Sequence, residues 1–165
     1  MADERRKTTS VVRLNSKPTA YNIEKIADGG VDIAEGRLLV ETNGVAALAG
    51  ASDLFVWLNW LDTEAGSVRD SVGNVFDKSS PTINLDAGGL AGIIGNGIPI
   101  GLETSEWDIN GTPVVGDLVI VGTGAKPKNE TFAAIGAAVP SFGVIYRISE
   151  DVLWFLFESV GRVKG

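Results

Sequence analysis

The chain has 165 residues, 44% of them apolar and 21% charged, close to globular averages; this predicts one domain and excludes a fully disordered polymer. It holds no cysteine and no histidine, which excludes disulfides, thiolate and Ser–His nucleophiles, zinc fingers, iron–sulfur clusters and imidazole metal ligands. Glycine, at 21 residues, lies well above its usual share of about 7% and follows no three-residue period, so it predicts turns between short strands rather than collagen.

Charge is split along the chain. Residues 1–20 carry Arg5, Arg6, Lys7, Arg13 and Lys17 against Asp3 and Glu4, a net of +3, leaving −10 for the remainder of a chain whose net charge is −7. A basic segment on an acidic body predicts an interaction arm over residues 1–20, with a single β domain over 21–165. The acidic body argues against nucleic acid, which needs a basic face. No run reaches the roughly 18 apolar residues of a membrane span, and the charged start lacks the apolar stretch of a signal peptide. The expectation is a protein made in a cytoplasm, with no membrane partner.

In chain order, Val11, Val12 and Leu14 can extend as a strand until Pro18 interrupts it. Tyr21 to Ile26 alternates and reads as a half-buried strand, and Val31 to Glu35 alternates more briefly. Leu38–Glu41 and Val45–Leu48 flank Thr42-Asn43-Gly44, an Asn-Gly hairpin signal. Leu54 to Leu61 is apolar on consecutive positions and reads as a strand buried on both faces. Residues 62–110 read as loop-rich: Thr63 to Ser80 is polar, Thr82 to Leu85 is a brief strand, and the glycines and Pro99 of Gly88 to Gly101 forbid a long helix. That glycine run is expected to cover the core or meet another subunit.

Val114 to Val121 is the strongest strand signal, ended by Gly122-Thr123-Gly124, with 125–131 as loop. Phe132 to Val139 fits a short strand or one helical turn. Gly143–Ile148 and Val152–Phe157 form a hairpin across Ser149-Glu150-Asp151. Nine or ten short strands with frequent turns define an all-β fold, a small barrel or sandwich.

Few residues point to chemistry. Gly95-Asn96-Gly97 is followed by Ile98-Pro99, which breaks the helix a dinucleotide fingerprint requires, and no Gly-Lys dipeptide exists for a phosphate loop. Glu103 and Glu106 beside Trp107 are the best carboxylate pair for glycosidase chemistry, yet acids beside an aromatic are ordinarily solvated charges. Asp28 with Asp32, and Asp62 with Glu64, lack the alternating oxygens of a calcium loop. No catalytic, cofactor or metal residue is therefore expected, and no enzyme. Large aromatics recur at subunit contacts. Trp57, Trp60, Trp154, Phe155 and Phe157, on strands apolar on consecutive positions, are the candidates for such an interface.

The run Gly116-Asp117-Leu118-Val119, then Gly143-Val144-Ile145, then a closing apolar strand ending near Gly161-Arg162-Val163, resembles the small β-barrel capsid cement (decoration) proteins of tailed bacteriophages. The likeness covers roughly the last 50 residues. It implies a non-enzymatic virion protein on the capsid exterior that stabilises contacts between capsomers. Its implied partners are the major capsid protein and two further copies of itself in a homotrimer. The arm residues Arg5, Arg6, Lys7, Val11, Val12, Arg13 and Leu14 would then grip the capsid. The alternative is another β-rich phage assembly protein of a tail tube, head fibre or spike base.

Overall fold

Apolar residues recurring at every second position, with glycine at the bends, fold this chain as strands. The computed structural model describes residues 13–14, 19–23, 25–26, 36–42, 45–60, 67–69, 75–77 and 90–165. They contain β1 (Arg13–Leu14), β2 (Thr19–Ile23), β3 (Lys25–Ile26), β4 (Leu38–Thr42), β5 (Val45–Leu48), β6 (Trp57–Trp60), β7 (Ser67–Arg69) and β8 (Val75–Asp77). The chain continues with β9 (Leu90–Ile94), β10 (Asn96–Glu103), β11 (Leu118–Val121), β12 (Pro127–Glu130), β13 (Ser141–Ser149) and β14 (Val152–Arg162). Two short 3-10 turns lie at Thr104–Glu106 and Thr123–Ala125, and there is no α-helix among the described residues.

One sheet has the order β1-β10-β14-β13-β11-β12 and a second the order β2-β9-β6-β4-β5-β3; β7 and β8 pair by themselves. Among these described strands every pairing is antiparallel except β3 with β5. The sheets do not close into a barrel, so of the two expected architectures the sandwich is the one formed. A single core cluster joins Leu38, Val56, Leu58 and Ile93 of the second sheet to Ile100, Leu102, Val119, Phe142, Ile145, Leu153, Phe155 and Phe157 of the first. Trp107, Phe155 and Phe157 pack edge to face through it, with centroids 5.3 and 6.1 Å apart.

The sheets meet at a corner. β9 belongs to one sheet and β10 to the other, with only Gly95 between them, which is how a strand switches sheets in a folded-over sandwich. A Cβ on Gly95 would lie 2.6 Å from the Phe157 carbonyl oxygen, so only glycine allows this approach. Ser159 completes the seam. Its Oγ accepts from Gly95 N at 2.8 Å, its N–H donates to Gly95 O at 2.9 Å, and its carbonyl accepts from Val56 N at 2.9 Å. β1 and β2 follow the same corner strand: Arg13 pairs with Gly101 on the first sheet, and Thr19 with Ile94 on the second.

Several expectations need correction. Arg13 and Leu14, expected to reach a partner, pair with Gly101 and Ile100 of their own chain. The loop-rich 62–110 holds β7 to β10, and the glycine run supplies the corner strand instead of a cover. The single strand expected over Tyr21 to Ile26 is two, on opposite edges of one sheet. Val114 and Val115 are exposed and β11 begins only at Leu118, while 125–131 contains β12. The region 132–139 forms turns.

Leu54 and Phe55 are exposed, so that stretch is not sheathed along its length. From Leu153 to Phe157 the strand buries one face fully, Leu153, Phe155 and Phe157 inward, with Trp154 and Leu156 half-buried; Val152 at its start is also buried. Both hairpins form, with Thr42 pairing with Val45 and Ser149 with Val152. The candidate strands at Val31–Glu35 and Thr82–Leu85 lie outside the described residues.

Candidate interaction surface

The first sheet turns one face to the core and the other outward. Outward-facing residues fall in register across four strands: Pro99 pairs with Leu156, Leu156 with Val144, and Val144 with Leu118. All four side chains are half-buried, and together they form an apolar stripe running across the strands. At its β12 end Leu118 pairs with Glu130.

The two flanks of the stripe differ. On one, Trp154 pairs with both Gly101 and Arg147. A Cβ on Gly101 would lie 2.8–3.0 Å from three ring atoms of Trp154, so the indole lies against the bare glycine backbone. The exposed Arg147 guanidinium carbon stands 5.8 Å from the ring centroid, a cation–π distance. A register shift between Ile145 and Arg147 brings that side chain to the outer face.

On the other flank the surface is concave. A cavity of ≈ 240 Å³ opens there, bordered by Leu118, Val144, Leu156, Gly143 and Gly97, with Glu158 and Arg162 at its rim. Gly97 faces open space there, whereas a Cβ on Gly143 would lie against the Leu156 backbone. Arg162 Nε donates to Glu158 Oε2 at 2.7 Å and a second guanidinium nitrogen to Oε1 at 3.0 Å. The Arg162 side chain is 75% exposed, so this bidentate pair contributes about 1 kcal/mol at most.

Beside the stripe, the 108–117 loop is fastened to β11 and β12 by buried polar groups. Asp117 and Asn129 are both nearly inaccessible. Asp117 Oδ2 accepts from Val114 N at 3.1 Å and from Asn129 Nδ2 at 3.0 Å. Asn129 in turn accepts from Asn110 N at 2.8 Å and donates to Asn110 O at 3.0 Å. Asp108 Oδ2 accepts from Thr123 N at 2.9 Å. That backbone bond, with help from the Thr123 side chain, Lys128 and Lys126, outweighs partial desolvation and holds the Asp108 carboxyl below the ordinary aspartate range. The fastened loop presents Ile109, Val114 and Val115 to solvent.

The candidates for chemistry disperse. Glu106 pairs with Arg37 at 3.1 Å, and Trp107 lies in the core, its indole N–H donating to Leu102 O at 3.3 Å. No group of three or more metal-ligating side chains occurs among the described residues. Asp28, Asp32, Asp62 and Glu64 lie outside them, as do the arm residues Arg5, Arg6, Lys7, Val11 and Val12.

Of the expected interface aromatics, Phe155 and Phe157 are wholly buried at 0% exposure. No partner can reach them without opening the sandwich, which corrects that expectation. Trp154 is on the outer face, Trp57 is half-buried edge-on to Phe55 at 5.4 Å, and the Trp60 side chain lies outside the described residues. Sequence reasoning missed Pro99, Leu118, Val144, Arg147, Leu156, Glu158 and Arg162. The one available signal was Glu158, the first charged residue after six apolar ones, whose parity marks Trp154 and Leu156 as outward.

No family model, curated protein or solved structure matches this chain. Among the described residues, no helix is long and apolar enough to cross a membrane.

Proposed function

We propose that this chain is a non-catalytic structural virion protein that binds the outer surface of an icosahedral phage capsid and stabilises contacts between its capsomers. The observation that carries this reading is the outer face of the first sheet, an apolar stripe crossing four strands beside a fastened loop with exposed valines. A broad half-exposed apolar face marks a surface made for contact with protein. The +3 charge of residues 1–20 is consistent with it, since their described part β1 lies on the edge of that same sheet. Of the carboxylate pair weighed for glycosidase chemistry, Glu106 is held by Arg37 at 3.1 Å.

Such a protein works by differential affinity. It binds the assembled arrangement of capsomers better than the separated one, and that difference alone stabilises the shell. Repetition around the shell adds modest contacts through multivalency. Heating particles with and without the protein tests this reading: shells that lack it should release their contents at a lower temperature. Equal release temperatures overturn it. Tubes or rings assembled by the protein alone would favour the tail-tube alternative. Reversing Arg5, Arg6 and Lys7 to Glu should weaken attachment and abolish its strengthening at low salt.

A further inference from the structure

We propose that Asn110 is a modification site, an asparagine that converts to aspartate and isoaspartate, and that Glu130 and Asn129 hold this conversion in check while the 108–117 loop stays fastened. Asparagine is among the chemically labile residues of proteins. Asn110 precedes Gly111, and both are exposed. Gly111 has φ +64° and nothing within 4 Å of where a Cβ would stand, and among the described residues no hydrogen bond holds its N–H. That unshielded backbone nitrogen is one ring closure away from Asn110 Cγ. The nitrogen gives its proton to water or hydroxide and bonds to Cγ, the Cγ–Nδ2 bond breaks, and Nδ2 takes up a proton and leaves as ammonia. Water then opens the cyclic imide at Cγ, which gives aspartate, or at the backbone carbonyl carbon, which gives isoaspartate.

The folded chain opposes the ring closure. Asn110 Nδ2 donates to Glu130 Oε2 at 3.0 Å, which fixes the carboxamide. Asn129, itself buried, accepts from Asn110 N at 2.8 Å and donates to Asn110 O at 3.0 Å, which fixes the backbone on either side of Cα. Cγ and the Gly111 nitrogen meet only if the torsions between them turn, so the reaction waits for local opening of the loop. Asn96-Gly97 is the contrast within the same chain: Asn96 pairs with Glu158 in the β10 ladder, away from this clamp. Conversion runs one way. Aspartate at 110 puts a second carboxylate against Glu130 where a donor stood, and the like charges repel. In isoaspartate the main chain leaves through Cβ, and the oxygen that Asn129 Nδ2 grips belongs to a free carboxylate. Either product loosens the fastening that presents Ile109, Val114 and Val115. The loop thus ages irreversibly, with or without a shell.

The test incubates the free full-length chain in warm, mildly alkaline buffer and follows the Asn110 and Asn96 peptides by mass spectrometry, as the mass gain of amide-to-acid conversion. Asn110 should convert at least about tenfold faster in urea, where the chain is unfolded, than in the folded chain. Glu130→Ala should raise the folded rate at Asn110 about threefold or more. Glu130→Gln, which keeps an acceptor, should stay within about twofold of wild type, and neither variant should alter the rate at Asn96. Asn110→Asp should speed amide hydrogen exchange across residues 108–117 and leave that of β13 and β14 unchanged. An Asn110 that remains an amide even in urea, or that converts equally fast folded and unfolded, overturns the proposal. A folded rate indifferent to Glu130→Ala removes Glu130 from the clamp, and unchanged exchange in Asn110→Asp overturns the loosening of the loop. The particle-heating result is unaffected by any of these outcomes, so the two readings fail separately.

Discussion

Ser159 sits where three backbones meet, bonding Gly95 through its hydroxyl and N–H while its carbonyl accepts from Val56 N. Ser159→Ala leaves the buried Gly95 N–H without its hydroxyl acceptor and should cost about 1–3 kcal/mol, read as a lower urea midpoint. Asp117→Ala removes the acceptor of Val114 N and one of the two acceptors of Asn129 Nδ2, and should cost about 1–3 kcal/mol; Asp117→Asn, which keeps an acceptor, should cost less. Asp108 makes stability depend on pH. Its carboxyl titrates lower in the folded chain than in the unfolded one, so its contribution is complete above the unfolded value of about 3.9 and is lost as pH falls through the folded value. The difference in urea midpoint between wild type and Asp108→Asn should therefore hold steady above about pH 5 and shrink on further acidification.

Among the elements, β1 has the clearest experimental signature. Removing residues 1–12 spares β1 and should shift the melting temperature by no more than about 2 °C, whereas removing 1–17 strips the edge of β10 and should lower it by about 2–6 °C. Equal melting temperatures for the two truncations would mean that Arg13 and Leu14 add nothing to the fold. How much of this was legible depended on range. The two hairpins were written locally, in Asn43-Gly44 and in the polar interruption Ser149-Glu150-Asp151 between apolar runs. The corner strand was not, because glycine at 92, 95, 97 and 101 lowers strand propensity, and its reason for being glycine is a neighbour distant in sequence: Phe157 for Gly95 and Trp154 for Gly101. The outer face was hidden for a related cause. From Val152 to Phe157 every residue is apolar, so period-two alternation carries no contrast within the run, and only the parity of Glu158 beyond it separates Trp154 from Phe155 before the pairing with Arg147 and Gly101 is known.

At the scale of the whole molecule, the two sheets are one construction, sharing a core and a strand, so neither is expected to unfold alone. Urea unfolding followed by tryptophan fluorescence and by far-ultraviolet circular dichroism should give coincident transitions; separated ones would mean that the sheets are independent units. The pairing of Arg13 with Gly101 and of Thr19 with Ile94 has a further consequence, one of timing. On the ribosome the first strands emerge long before the strand they flank, and at about 5–20 residues per second the N-terminal segment waits several seconds for its mate. During that wait its backbone donors and acceptors are satisfied by water and open to any other strand edge nearby. A +3 charge on residues 1–20 keeps identical nascent segments apart by repulsion.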